Sequence, residues 1–220
     1  MKYLHWNEEV VKDFSPLKTD LMYEKGYLFT RIGKGVMQQT RSLRIDLRNF
    51  SLSSENRRIL KRVPDLKIET LELPLESYDY KIGKMAKDFY DTKFEPGIMS
   101  AQKIKEMLTN EEKSNFNQLL SFGPEHHSGL GYAITYVSST LIHYSYPFYD
   151  LNNSPKDMGL AMIINTILHA KDLGLKYLYL GSLQRPSDVY KLQFSGLEWF
   201  DGEKWSTDTE EVKKLLGQKS

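Results

Sequence analysis

Residues 130–181 read LGYAITYVSSTLIHYSYPFYDLNNSPKDMGLAMIINTILHAKDLGLKYLYLG, and this stretch decides the fold. Gly131–Val137 and Leu141–Phe148 are rich in β-branched and aromatic residues and are separated by Ser138-Ser139-Thr140, a pattern that predicts a hairpin. Met158, Met162, Ile163, Ile167 and Leu168 then recur at helical spacing. Ser154 is the expected N-cap of that helix, with Pro155 at the first helical position, Asp157 at the third and Gly174 just past the end. Lys176–Gly181 reads as a further strand. A helix launched from a strand end predicts an α/β fold and a crevice where backbone N–H groups face an anion.

Toward the N-terminus, residues 1–20 are mixed and fit a short helix or an irregular arm. Tyr27–Ile32 is strand-like, Gly33-Lys34-Gly35 is a turn, and Val36–Phe50 follows. In that run Leu43, Ile45 and Leu47 alternate with Arg44, Asp46 and Arg48, which predicts a strand with one apolar and one charged face. Ser53–Arg62 reads as a short basic helix ended by Pro64. Leu66–Leu75 reads as a strand whose apolar phase shifts at Leu71, as a bulge would make it. Residues 78–91 and 100–119 are expected to be helical, joined by the Phe94–Gly97 turn. Beyond the central stretch come a short helix or turn at Ser187–Phe194, a hairpin over Asp201-Gly202, and a last helix capped by Thr207 or Asp208.

The composition bounds the chemistry. The 220 residues contain 40% apolar and 27% charged side chains, as an ordinary globular chain does. No apolar run is long enough to span a membrane, and MKYLHWNEEVVKDF carries acids where a secretion signal needs an apolar centre, so a cytoplasmic chain is expected. With no cysteine, the chain has no disulfide, thiolate zinc site, cysteine nucleophile or cysteine-held iron–sulfur cluster. Net charge is +1, yet between Arg31 and Arg62 nine basic residues face only Asp46 and Glu55, a local balance of +7. Such asymmetry points to a polyanionic partner such as nucleic acid, or else to a solvated basic face.

Tyr146, Tyr149 and Asp150 cluster at a strand end ahead of the central helix, where Asp150 would accept a proton from an attacking amine and a tyrosine would donate to a leaving oxygen. The competing reading is a packed aromatic strand with Asp150 in a turn. The adjacent His126 and His127 do not make a metal set, and His143 is expected to be a structural histidine. No Gly-rich phosphate loop and no metal site are expected.

Five stretches, taken in order, resemble the arginyl-tRNA–protein transferases and their bacterial leucyl-transferring relatives. They are Glu24-Lys25-Gly26-Tyr27 through Gly33, Phe50–Arg58 (similar to F-x-P-S-R-S-Q-R-R), Tyr146–Asp150 (Y-x-F-Y-D-P), Leu175–Gly181 (L-P-Y-x-Y-L-G), and Tyr190-Lys191 with Phe194, Leu197 and Glu198 (Y-K-x-x-F-x-P-L-E). Lys156–Ala161 is also one residue away from the Gln/Arg-x-x-Gly-x-Gly/Ala pattern of the GNAT acetyltransferases, in which the glycine admits a pyrophosphate.

The resemblance implies a GNAT-like mixed sheet flanked by helices, with a smaller strand-rich N-terminal part. Residues 1–75 would form a basic strand and helix segment packed on an acyltransferase core at residues 76–220. It implies transfer of arginine or leucine from charged tRNA to the α-amine of a protein N-terminus, often Asp or Glu, with no cofactor, metal or membrane partner. Asp150, Tyr149 and Tyr146 would be catalytic. Arg41, Arg44, Arg57, Arg58, Tyr190 and Lys191 would bind tRNA phosphate or a substrate carboxylate. An acyl-CoA-dependent N-acyltransferase, with acetyl-CoA on Lys156 and Gly159, is the alternative, and a non-catalytic tRNA- or peptide-binding relative is another. Three departures stand out. Met37–Thr40 lies where the family carries cysteines, Leu151 replaces a proline, and Ser182-Leu183 replaces an aromatic pair.

Overall fold

The computed structural model describes residues 3–64, 66–124 and 129–217, so His126 and His127 lie outside the described residues. In chain order its elements begin with β1 (Asn7–Val10), α1 (Pro16–Glu24), β2 (Tyr27–Phe29), β3 (Val36–Gln39), β4 (Ser42–Asp46), α2 (Ser54–Arg62) and β5 (Lys67–Glu72). They continue with α3 (Tyr80–Lys93), α4 (Ala101–Thr109), β6 (Gln118–Gly123), β7 (Gly131–Val137), β8 (Leu141–Tyr149), α5 (Met158–Asp172) and β9 (Tyr177–Ser182). A 3-10 helix (Pro186–Gln193), β10 (Leu197–Phe200), β11 (Trp205–Ser206) and α6 (Thr209–Leu215) complete the chain.

The fold is mixed α/β. Strands hydrogen-bond in the order β11-β10-β4-β9-β8-β7-β6-β5, and a separate antiparallel sheet has the order β1-β3-β2. The expected mixed sheet with helices and a smaller set of N-terminal strands is what forms. The β8–β9 pair is parallel, with Leu141, Ile142 and His143 opposite Tyr177, Leu178 and Tyr179. The helix between them supplies the crossover that a parallel pair requires. The chain divides into two compact units: Met1–Ser53, Ser138–His143 and Ala170–Ser220 form the first, Ser54–Val137 and Tyr144–His169 the second. No helix among the described residues is long and apolar enough to cross a membrane.

In the first unit, the core is built on β4, whose five residues are all buried. The alternation of Leu43 and Ile45 with Arg44 and Asp46 therefore does not mark a solvated face: Arg44 keeps 5% of its surface and Asp46 7%. The chain breaks at Thr40-Arg41, so that β3 joins the small sheet and β4 the large one. Leu43, Ile45, Tyr23, Tyr179 and Trp199 are fully buried here. Gly196 has a positive φ of 73°, and a Cβ there would lie 2.6 Å from the Asp46 carbonyl oxygen, so this turn needs glycine.

In the second unit, β5, β6 and β7 form a meander with Leu119, Leu120, Phe122, Ala133 and Ile134 in its core. Two expectations are corrected here. The helix expected through residue 119 stops at Thr109, and Gln118–Gly123 is a strand, because Leu119 and Leu120 must both be buried on a sheet rather than on one helix face. The bulge expected near Leu71 does not form: β5 pairs with β6 residue by residue from Lys67 to Glu72. As the last strand of the sheet, β5 buries neither face strongly, so its apolar phase carries little register information.

Candidate functional site

The second unit holds the tyrosine-rich strand end. The central helix starts three residues later than Pro155 would set it, at Met158, because Asp157 sits in the left-handed region with φ 71°. A short polar side chain tolerates that conformation. Its carboxylate is paired with Arg62 from α2. Asp150 is spent in the turn that precedes the helix. Its carboxylate accepts from the backbone N–H groups of Asn152 (2.9 Å) and Asn153 (3.2 Å) and from the Asn153 amide (2.7 Å). The Asn153 side-chain bond, with help from the backbone donors, holds its pKa below the ordinary carboxylate value. Asp150 therefore holds the turn that precedes the helix, and its donors favour the carboxylate form.

Tyr149 is the free group of this cluster. Its ring meets Phe89 edge-on at 4.8 Å, and its hydroxyl makes no hydrogen bond among the described residues. Burial raises its pKa, so it stays protonated and able to donate at neutral pH. Two glycines make its room. A Cβ on Gly131 would lie 3.0 Å from Tyr149 Cβ and 2.9 Å from Met162 Sδ, and one on Gly159 would lie 3.4 Å from the Tyr149 ring. The bare side of Gly159 thus faces a tyrosine, and the neighbouring Asp157 is paired with Arg62. Lys156 is exposed just before the helix. Tyr146 has a different surrounding: its backbone takes φ 36° and its ring stands edge-on to Phe116 at 5.4 Å.

The helix α2 carries the basic residues of this unit. Asn56 and Ile59 are buried, while Arg57, Arg58, Lys61 and Arg62 are exposed. Arg58 pairs with Glu55 at 2.6 Å, and Arg62 reaches Glu55 at 3.7 Å as well as Asp157. Asp157, brought in by the fold, therefore offsets part of the +7 segment, whose balance already counts Glu55.

The first unit holds the remaining sequence-predicted residues. Arg44 is not available to a phosphate. Its guanidinium donates to Glu198 (2.6 Å) and Glu24 (2.8 Å) and lies between the rings of Tyr177 (3.9 Å) and Trp205 (4.0 Å). Burial works against its charge, but Tyr179 and the two carboxylates outweigh it and hold the group protonated. Arg41 is half-buried and its carbonyl accepts from Leu183 N–H. Tyr190 is 44% exposed on the 3-10 helix.

Lys191, next to it, turns inward. The residue is half-buried, and its Nζ donates to the Ser182 carbonyl at 3.2 Å. Burial lowers its pKa, Asp188 opposes this and Arg185 adds to it. His143 is 3% exposed, with Nδ1 at 2.9 Å from the Tyr23 hydroxyl. Burial, and secondarily the charge of Lys191, pushes its pKa down to about 3, so the ring is neutral. The Tyr23 partner was out of reach of the sequence, since 120 residues separate the pair. The predicted residues are thus not one constellation: Tyr149, Asp150, Gly159, Lys156, Arg57 and Arg58 belong to the second unit, Arg41, Arg44, Tyr190 and Lys191 to the first. Among the described residues, no cluster of three or more His, Cys, Asp or Glu side chains is arranged to hold a metal ion.

No family model matches the chain. It is similar to proteins named aspartate/glutamate leucyltransferase. The one from Hyphomonas neptunium is 28% identical over 171 residues, which covers 75% of this chain and 67% of that protein. The one from Ruegeria pomeroyi is 26% identical over 173 residues, 77% of this chain and 62% of that protein. The one from Alkalilimnicola ehrlichii is 27% identical over 185 residues, 83% of this chain and 76% of that protein. The matched stretches therefore span roughly two thirds of these relatives. The solved structure of L-PGS from Bacillus licheniformis aligns over 92% of this chain and 71% of that one, at 14% identity and a TM-score of 0.49, a level that does not bear on activity. The chain is, on these comparisons, similar to named leucyltransferases across three quarters of its length.

Proposed function

We propose that the chain is an aminoacyl-tRNA–protein transferase of GNAT-like architecture that moves leucine or arginine to the α-amine of an acidic protein N-terminus. The observation that carries this reading is the likeness to proteins named aspartate/glutamate leucyltransferase over about three quarters of the chain. In the reaction the neutral amine attacks the ester carbonyl carbon of the aminoacyl group. The C–N bond forms, the bond to the tRNA 3′ oxygen breaks, and the amine proton ends on that oxygen. The free, protonated hydroxyl of Tyr149 suits a donor to the leaving 3′ oxygen. Asp150 serves by holding the turn that sets Tyr149 ahead of α5. Arg57, Arg58 and Lys61 offer the phosphate-binding charge of α2.

The test uses purified chain with labelled leucyl-tRNA and arginyl-tRNA and peptides beginning with Asp, Glu or Ala. Transfer to the acidic peptides is expected, with a fall of about 10- to 100-fold in Tyr149→Phe and an unchanged melting temperature. No transfer from either tRNA by a folded chain refutes the proposal. For the acyl-CoA alternative the expected result is no thermal shift with acetyl-CoA, since a ligand that binds only the native state would raise its stability.

A further inference from the structure

The first unit contains an open cleft of about 540 Å³, and none of the residues given a role in transfer lines it. Residues 49–53, 192–198 and 207–209 wall it. Ser51 N–H donates to Ser195 Oγ, and that hydroxyl donates back to the Ser51 carbonyl, each at 2.8 Å. Trp199 Nε1–H donates to the Asp208 carbonyl at 2.9 Å and ties the third wall to β10. The walls are thus fixed without a ligand, as in a preformed site. No lysine, arginine or histidine is among the described residues that line the cleft, so a phosphate or carboxylate finds no cation there. Thr207 and Thr209 both line it, and their side chains make no hydrogen bond among the described residues. Glu198 is the acid of the lining. Its Oε2 accepts from Arg44 Nε at 2.6 Å, and its Oε1 has no hydrogen bond among the described residues.

These groups select the chemistry of a ligand. Arg44 and Lys176 balance Glu198 and Glu24, so no net charge is left to hold an ammonium, and Arg44 stands behind Glu198 to repel one. The free carboxylate oxygen needs a donor, and a threonine hydroxyl both donates and accepts. Adjacent hydroxyl groups on a neutral molecule meet both needs. The cleft is open and polar, which suits a hydrated ligand rather than an apolar one that must bury most of its surface. Phe194 and Leu197 in the wall give the C–H face of a sugar ring an apolar surface. We propose that the cleft binds an uncharged sugar through a pair of adjacent hydroxyls, one donating to Glu198 Oε1 and the other bonded to Thr207 or Thr209. The site stands on its own geometry and does not depend on the transferase reading.

The experiment is saturation-transfer NMR on the full chain with D-glucose, D-ribose, glucosamine and glucuronate, each titrated without tRNA. Glucose or ribose is expected to bind with a Kd of about 1–10 mM, and the cationic and anionic analogues about 10-fold more weakly. Ser51→Phe tests the place of binding. The Ser51 side chain is exposed and its backbone makes the wall contacts, so a phenyl ring there covers the cleft without entering the core. Neutral-sugar binding should fall by at least about 10-fold in this variant at an unchanged melting temperature. Glu198→Gln should weaken binding by about 10-fold. Because that change also disturbs Arg44, Thr207→Val with Thr209→Val is the second variant, expected to weaken binding by about 3- to 10-fold in a folded chain. No saturation transfer to either neutral sugar overturns the proposal. So does glucuronate or glucosamine binding as tightly as glucose, or sugar binding that survives intact in folded Ser51→Phe. A chain that binds glucose and transfers no amino acid refutes the transferase and leaves the cleft, and transfer without sugar binding refutes the cleft alone.

Discussion

At Arg44 the guanidinium presents its faces to Tyr177 and Trp205 and its edge to Glu24 and Glu198. Four elements, α1, β9, β10 and β11, thus meet on one side chain of β4. Glu24 is 42% exposed, so solvent screens its share, and Glu198 at 23% carries more of the pairing. Arg44→Met is expected to lower folding stability by about 3 kcal/mol, chiefly by stranding Glu198 and removing the planar stacking on the rings. Urea denaturation checks this, and Arg44→Lys should recover less than half, because an ammonium has neither fork nor plane. A destabilisation below about 1 kcal/mol in Arg44→Met would show the cluster to be incidental. Asp150 and Lys191 are the complementary cases. One is a carboxylate with its oxygens occupied by a turn, the other an ammonium drawn inward onto the Ser182 carbonyl.

Among the elements, α2 is the plainest electrostatic surface. Its burial of Asn56 and Ile59 fixes which side faces out, and that side carries Arg57, Arg58, Lys61 and Arg62. Replacing Arg57 and Arg58 by Gln should flatten the slope of log affinity for tRNA against log salt by roughly one to two units, about one for each phosphate no longer neutralised. Filter binding between low and moderate salt measures the slope, and an unchanged slope would place the tRNA away from α2. The helix itself was legible from Ser53 and the basic run, as were the β7–β8 hairpin and β9, because their apolar spacing is local. The start of α5 was not. Ser154 and Pro155 favour an earlier start, and the turn built on Asp150, with Asp157 left-handed and tied to Arg62, overrides them.

For the molecule as a whole, the two compact units take alternating stretches of the chain, and the buried His143 ties the stability of the first to pH. Its folded pKa of about 3 lies below its ordinary value of 6.5, so the unfolded chain binds the extra proton between those limits. The stability it protects is complete above pH 6.5 and is lost as pH falls toward 3, by about 4–5 kcal/mol at the bottom of the window. Carboxylates with lowered pKa act below their ordinary values, 3.8 for Asp150 and 4.5 for Glu55 and Glu106, so between pH 4.5 and 6.5 the comparison with a His143 variant reads the histidine apart from them. Urea unfolding across that range should show stability rising with pH in the native chain and a flatter line in His143→Gln. Equal slopes in the two would refute the assignment. By itself, the sequence determined the α/β class, the strand, helix and turn at residues 130–181, the cationic face of α2, and a site containing neither cysteine nor thiolate chemistry. Those features follow from side-chain spacing and composition, which act over a few residues. Only the tertiary structure decided the state of each charge. Glu198 reaches Arg44 across 154 residues of chain, and Tyr23 reaches His143 across 120. Whether a cation is neutralised, withdrawn or left for a ligand depends on burial and on such distant partners, and no local pattern encodes either.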